Sequence, residues 1–141
     1  MRYNKPNMQA KLTRTGTVMA FLLTLAIIFG YLLTPLGLEP RMNDLKTVAI
    51  VPFFVSASLG LPIIAAIYLF IKPRVTSILV MINASLMLFL VAGDQAGFFF
   101  TTPPPVAITI LEFLSIILSI AFLLYGPMLY RESKRTRSKR K

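Results

Sequence analysis

The sequence predicts an all-α integral membrane protein: four transmembrane helices arranged as two antiparallel hairpins, with both termini on the cytoplasmic side. Three observations carry this expectation. The chain has 141 residues, 56% of them apolar, and the apolar residues are gathered into four long blocks rather than spread at helical or strand period. Each block approaches or exceeds the roughly 20 helical residues that cross about 30 Å of hydrocarbon. The blocks are also continuous, without the alternation of a membrane barrel, so each must satisfy its own backbone as a helix. The third observation is where the charge sits. Arg2, Lys5, Lys11 and Arg14 precede the first block, Lys72 and Arg74 lie between the second and third, and Arg131, Lys134, Arg135, Arg137, Lys139, Arg140 and Lys141 follow the fourth. With both ends on one side, that side carries thirteen basic residues and the other only Arg41 and Lys46. Basic residues stay on the cytoplasmic face during insertion, which predicts a multi-pass plasma-membrane protein with cytoplasmic termini.

The expected spans are 16–36, 47–71, 75–93 and 105–129, within a membrane domain of 16–130 flanked by a basic arm (1–15) and a basic tail (131–141). The first span is too long for a cleaved signal peptide and reads as a signal anchor. It is expected to stop at Thr34-Pro35-Leu36-Gly37, followed by a short, nearly neutral loop at 37–46. Asn43-Asp44 or Thr47 is the expected cap of the second span. Pro52 and Pro62 make that span the least regular, because each removes a backbone donor and bends the axis. Lys72-Pro73-Arg74 is a tight turn. The third span is expected to end or break at Gly93 or Gly97, placing Phe98, Phe99 and Phe100 at the outer interface. Thr101-Thr102 and Pro103-Pro104-Pro105 lead into the fourth span, Thr as cap and Pro at the first helical position. That span is expected to end at Tyr125-Gly126-Pro127 and Tyr130. The tail, taken alone, is too charged to fold.

Composition narrows the chemistry. The sequence contains neither Cys nor His, which removes disulfides, the usual zinc, copper and haem ligands and histidine acid–base catalysis. No cofactor and no resident metal are expected, and no nucleotide-binding or hydrolase motif is present. The net charge of +10 is mostly the topology signal. Anionic lipid headgroups are the expected partners of the tail (Arg131, Lys134, Arg135, Arg137, Lys139, Arg140, Lys141), with an acidic partner subunit next. Nucleic acid is disfavoured because no aromatic residues are interleaved to stack bases.

Two polar stripes cross the apolar helices. Glu112, Ser115, Ser119 and Gly126 stand at offsets of 3, 7 and 14, one face of the fourth span. Glu112 lies on the order of 11 Å below the surface at 1.5 Å per residue. Thr76, Asn83, Met87 and Asp94 form a matching face on the third span. With these spans antiparallel, Asp94 and Glu112 fall in the same half of the bilayer, where two carboxyl groups can share a proton, bind a cation or line a proton path. The plainer expectation is a protonated, hydrogen-bonded Glu112 and an ordinary interfacial Asp94. Small-residue pairs at Ala26/Gly30, Ser56/Gly60 and Ser115/Ser119 permit close helix packing. Met81 and Met87 do not share a face and read as gap-fillers.

In architecture the chain resembles small accessory subunits of respiratory oxidases and membrane-bound monooxygenases. This implies a non-catalytic subunit of a larger membrane complex. The small multidrug transporters share its size and helix count, but carry their essential Glu in the first helix, and span 16–36 has no charged residue. A homo-oligomeric proton- or cation-coupled transporter using Glu112 is the alternative, and a lipid or nucleic-acid tether using the tail a further one.

Overall fold

The computed structural model describes residues 13–138, with side chains to Arg135. Most of the expected N-terminal arm, the side chain of Arg137, and Lys139, Arg140 and Lys141 lie outside the described residues.

The first helix, α1 (Arg14–Leu33), begins at Thr13, whose Oγ1 accepts the Gly16 N–H at 3.1 Å and so caps the helix. The same hydroxyl donates to Glu132 Oε2 at 2.8 Å, joining the start of the first helix to the far end of the last. The buried residues Thr15, Met19, Leu23, Ala26 and Gly30 recur every three or four positions, a single inward face.

The expected stop at Pro35 does not occur. Helical backbone continues through a π-helical turn (Thr34–Leu38) and a 3-10 segment (Glu39–Asp44). Proline has no N–H and its ring crowds the carbonyl four residues back. The wide turn accommodates this: Thr34 N–H still reaches Gly30 O, and Glu39 N–H reaches Thr34 O five residues back. Gly37 is not a terminator either. A Cβ there would stand 3.0 Å from Ile108 Cδ1, so glycine lets the helix lie close to α5 (Val106–Ser138).

The second span is irregular, as its prolines predict. A 3-10 turn (Val48–Ile50) leads into α2 (Val51–Val55), a second π-helical turn (Ser56–Gly60) and α3 (Leu61–Ile71). Thr47 precedes the first turn in extended conformation but makes no side-chain capping bond. Lys72 alone separates α3 from α4 (Pro73–Gln95). Thr76 Oγ1 crosses that corner to donate to Ala65 O at 2.9 Å. The helix α4 passes through Gly93 without a break, and ends two residues later with Gly97 at φ +70°, a left-handed conformation that glycine adopts without strain. Phe98 N–H closes back on Gly93 O at 2.8 Å.

The last helix, α5, differs from its expected bounds. It starts at Val106, immediately after Pro105, and runs through Pro127 to Ser138. The first part of the basic tail is therefore helix, because it propagates from a turn already held by packing and needs no nucleation of its own. The threonines do not cap it. Thr102 Oγ1 donates to Asp44 Oδ2 at 2.9 Å, and Thr101 N–H donates to Asp44 O at 2.9 Å. Together with Lys46 N–H to Phe99 O at 2.8 Å, these bonds zip segments 44–46 and 99–102 around an antiparallel bridge between Leu45 and Phe100. Phe99 and Phe100 are consequently buried, and only Phe98 of the three stays exposed.

The molecule is thus all-helical, with four stretches long and apolar enough to cross a membrane: Arg14–Asp44, Val48–Ile71, Pro73–Gln95 and Val106–Arg135. Its core falls into two clusters. One, around Met19, Leu23, Val80 and Phe122, sits towards the end holding Thr13 and the exit of α5. The other, around Leu38, Leu90, Phe99 and Phe100, sits under the zipped loops. Large apolar side chains such as Phe21, Ile67, Phe70, Phe89 and Phe113 point outwards, as a lipid-facing surface requires.

Candidate functional site: a buried charge cluster beneath the loop cap

Beneath the zipped loops lie three buried ionisable side chains, Arg41, Asp94 and Glu112, each 5% exposed or less. Arg41 comes from the 3-10 segment that the proline-tolerant π-turn extends inwards, and Asp94 from the last turn of α4. The two form a bidentate pair, Arg41 Nη1 to Asp94 Oδ2 at 2.8 Å and Nη2 to Asp94 Oδ1 at 2.7 Å. Arg41 Nη2 also donates to Thr102 O at 2.9 Å, and the guanidinium lies 3.8 Å from the Phe100 ring centroid. Its Nε has no protein partner. The arginine therefore pins three segments at once: its own turn, the end of α4 and the loop before α5.

Glu112 projects from the second turn of α5 towards the same place. Gln95 Nε2 donates to its Oε2 at 2.6 Å, and Asp94 lies within hydrogen-bonding reach. Asp94 is held by the arginine, so the two carboxyl groups are neighbours without forming an isolated pair. Arg41, Asp94 and Glu112 line a cavity of about 30 Å³ together with Thr34, Ser58 and mostly apolar residues, among them Leu38, Phe54, Met87 and Phe100.

A second cavity of about 20 Å³ lies deeper, between α1, α4 and α5. Asn83, Ser115 and Ser119 line it, and Ser58 and Met87 line both cavities. Ser115 Oγ donates to Leu111 O and Ser119 Oγ to Ser115 O, each at 2.8 Å, while Ser58 Oγ donates to Phe54 O at 2.7 Å. Asn83 Oδ1 is buried without a donor.

The two polar stripes expected from the sequence therefore face each other inside one molecule. Asp94 meets the α5 stripe at Glu112, Asn83 meets it at Ser115 and Ser119, and Gly126 lies against Met81 with its carbonyl accepting from Ser77 Oγ. Gly30 packs so closely on the 56–60 turn that a Cβ would fall 1.7 Å from Ser58 O, and Ala26 is buried beside it. Ser56 is exposed and Gly60 open, so this pair makes no close helix crossing; Ser58 between them does. In the tail, Arg131, Lys134 and Arg135 are exposed.

The sequence pattern does not bring Arg41, Gln95, Thr102 and Phe100 into this cluster: Thr102 reads there as a cap and Phe100 as an interfacial residue. The available signal was that Arg41 is one of two basic residues on the side otherwise free of them. No family model matches this chain, and no characterised protein or solved structure shows significant similarity to it.

Proposed function

We propose that this chain is a non-catalytic subunit of a larger integral-membrane complex, held in the plasma membrane with both ends cytoplasmic, in an assembly of the respiratory-oxidase or membrane-monooxygenase kind. The observation that carries this reading is the last helix. At 33 residues, α5 is about 50 Å long, some 20 Å more than a hydrocarbon core. It carries Arg131, Lys134 and Arg135 out of the bundle as a stiff, exposed basic arm, suited to an acidic partner subunit or to anionic headgroups. The stapled loops support the same reading, since they make the opposite end rigid. The asymmetry of thirteen basic residues against two supports the orientation.

The test is the native mass of the tagged protein, gently extracted from its own membrane, with its co-purifying chains identified. A large hetero-complex with stoichiometric partners is expected. A particle of one or two copies of this chain alone overturns the reading. Single cysteines placed at 14, 43, 98 and 133 report orientation without interference, since the chain has none of its own. Those at 14 and 133 should be labelled only from the cytoplasm.

One observation favours a second reading, a small proton- or cation-coupled carrier: Glu112 sits inside the bundle at a cavity wall instead of facing solvent. That reading requires Glu112→Gln to abolish uptake into vesicles while leaving the purified particle unchanged in size.

A further inference from the structure

We propose that the corner between α3 and α4 and the emerging end of α5 together form a binding site for an anionic phospholipid, whose headgroup phosphate sits between Arg74 and Lys134 beside the Tyr130 ring. The inference rests on the membrane-spanning reading of the chain, not on its membership of a complex.

Position is the first argument. Counted from Val106 at 1.5 Å per residue, Tyr130 stands about 36 Å along α5, just past a hydrocarbon core of about 30 Å. Lys72 and Arg74 occupy the corner joining two other membrane-length stretches, Val48–Ile71 and Pro73–Gln95. The two places meet: Arg74 Cζ lies over the Tyr130 ring, 5.8 Å from its centroid. About one turn deeper, Ser77 Oγ donates to Gly126 O and Met81 lies against Gly126, so α4 and α5 are in contact beneath the site. Lys134 follows Tyr130 by four residues and shares its face of the helix.

Charge is the second argument. Lys72, Arg131, Lys134 and Arg135 are exposed and Arg74 is half-buried, and among the described residues none of them is in an ion pair. The chain has five Asp and Glu residues. Four of them, Glu39, Asp44, Asp94 and Glu112, belong to the opposite end of the bundle. Glu132 is turned towards the start of α1, where it accepts from Thr13 Oγ1. The corner is thus a gathering of cations at the depth where a bilayer presents its phosphates. Arg74 supplies a planar fork of N–H donors and Lys134 a mobile point charge, so a phosphate can be met from two sides.

The apolar surface beneath selects a lipid over an acidic protein segment. Ile78, four residues after Arg74, and Leu123, seven before Tyr130, continue the same helical faces into the membrane, and both are exposed. Ile71 and Met128 nearby are exposed as well. A phospholipid satisfies both halves at once, with its phosphate on the cations and an acyl chain along Ile78 and Leu123. An acidic segment covers the cations alone.

The experiment titrates the full chain, in a neutral detergent, with phosphatidylglycerol or with phosphatidylcholine, and follows its melting temperature. A saturable rise is expected with phosphatidylglycerol, well beyond that with phosphatidylcholine. Arg74→Gln/Lys134→Gln should weaken the apparent affinity about 30-fold, the effect of removing two cations near a membrane surface, while melting without lipid stays unchanged. Lys139→Gln/Arg140→Gln removes the same charge further along the tail and should weaken it far less. Should the first double variant melt lower even without lipid, Lys134→Gln alone decides. Equal responses to the two lipids, or none, overturn the site and leave the basic arm to an acidic partner chain. Equal losses in the two double variants overturn it in favour of diffuse attraction, and a rise reproduced by inorganic phosphate overturns the lipid as occupant. A chain found alone in its native membrane leaves this site standing, and loss of the site leaves the hetero-complex standing, so the two readings fail separately.

Discussion

The two ends of the bundle are held by different means. Among the described residues at the end bearing Thr13, the 71–74 corner and the exit of α5, the helices are joined by hydroxyl bonds, Thr13 to Glu132, Thr76 to Ala65 O and Ser77 to Gly126 O, and by Arg74 set over the Tyr130 ring. The basic side chains there, Arg131, Lys134 and Arg135, stay in solvent. At the other end, segments 44–46 and 99–102 pair through their backbones, and Arg41 is drawn inside to meet Asp94. The contrast teaches that a charge is left in water where the chain emerges, and is buried only where a fixed partner and a cap are both supplied. An isolated buried charge is costly, and a bidentate, ring-backed pair offsets much of that cost.

The largest effect expected from breaking this contrast comes from halving the ion pair. Arg41→Met leaves Asp94 buried and unpaired and should cost about 3–5 kcal/mol of stability in detergent unfolding. The double variant Arg41→Met/Asp94→Leu should recover most of that loss. If the single and double variants are equally unstable, the arginine is doing something other than neutralising Asp94.

Next in size is the helix crossing between the two ends. Gly30→Val forces a side chain into the backbone of Ser58, and α1 must move away from the 56–60 turn. Overpacking of this kind costs about 1–3 kcal/mol, so a variant as stable as the parent would show that α1 is free to shift. Gly60→Ala is the control, since only Val55 O lies within 4 Å of its added Cβ.

The smallest effect belongs to the termini end. Ser77→Ala removes one interhelical hydroxyl bond and should cost about 0.6 kcal/mol, typical of such bonds between membrane helices. A loss approaching that of Arg41→Met would erase the distinction between the two ends.

Much of the fold was legible residue by residue. The spans expected at 47–71 and 75–93 correspond to stretches Val48–Ile71 and Pro73–Gln95. The offsets of Glu112, Ser115, Ser119 and Gly126 placed them on one face, and all four are buried. The misplaced helix limits share one cause: Pro35, Gly37, Gly93 and Pro127 carry local stop signals that the packed bundle overrides. Local propensity treats a missing donor or a missing side chain as a defect. In the packed bundle, wide turns take up Pro35, while Gly37 and Gly93 give room to Ile108 and Phe99.

The sequence by itself determined the class of the molecule, the number and approximate limits of its membrane-length helices, and which faces of the third and fourth are polar. These depend on hydropathy and helical period, which are properties of neighbouring residues. Only the tertiary structure decided that Arg41 meets Asp94, 53 positions away, and that the two polar stripes face each other. It also decided that Asn83 lines a cavity beside Ser115 and Ser119, whose hydroxyls donate to their own helix. Such pairings depend on how the helices are rotated and inclined about one another, and that arrangement is set by the sum of many packing contacts, which no local pattern encodes.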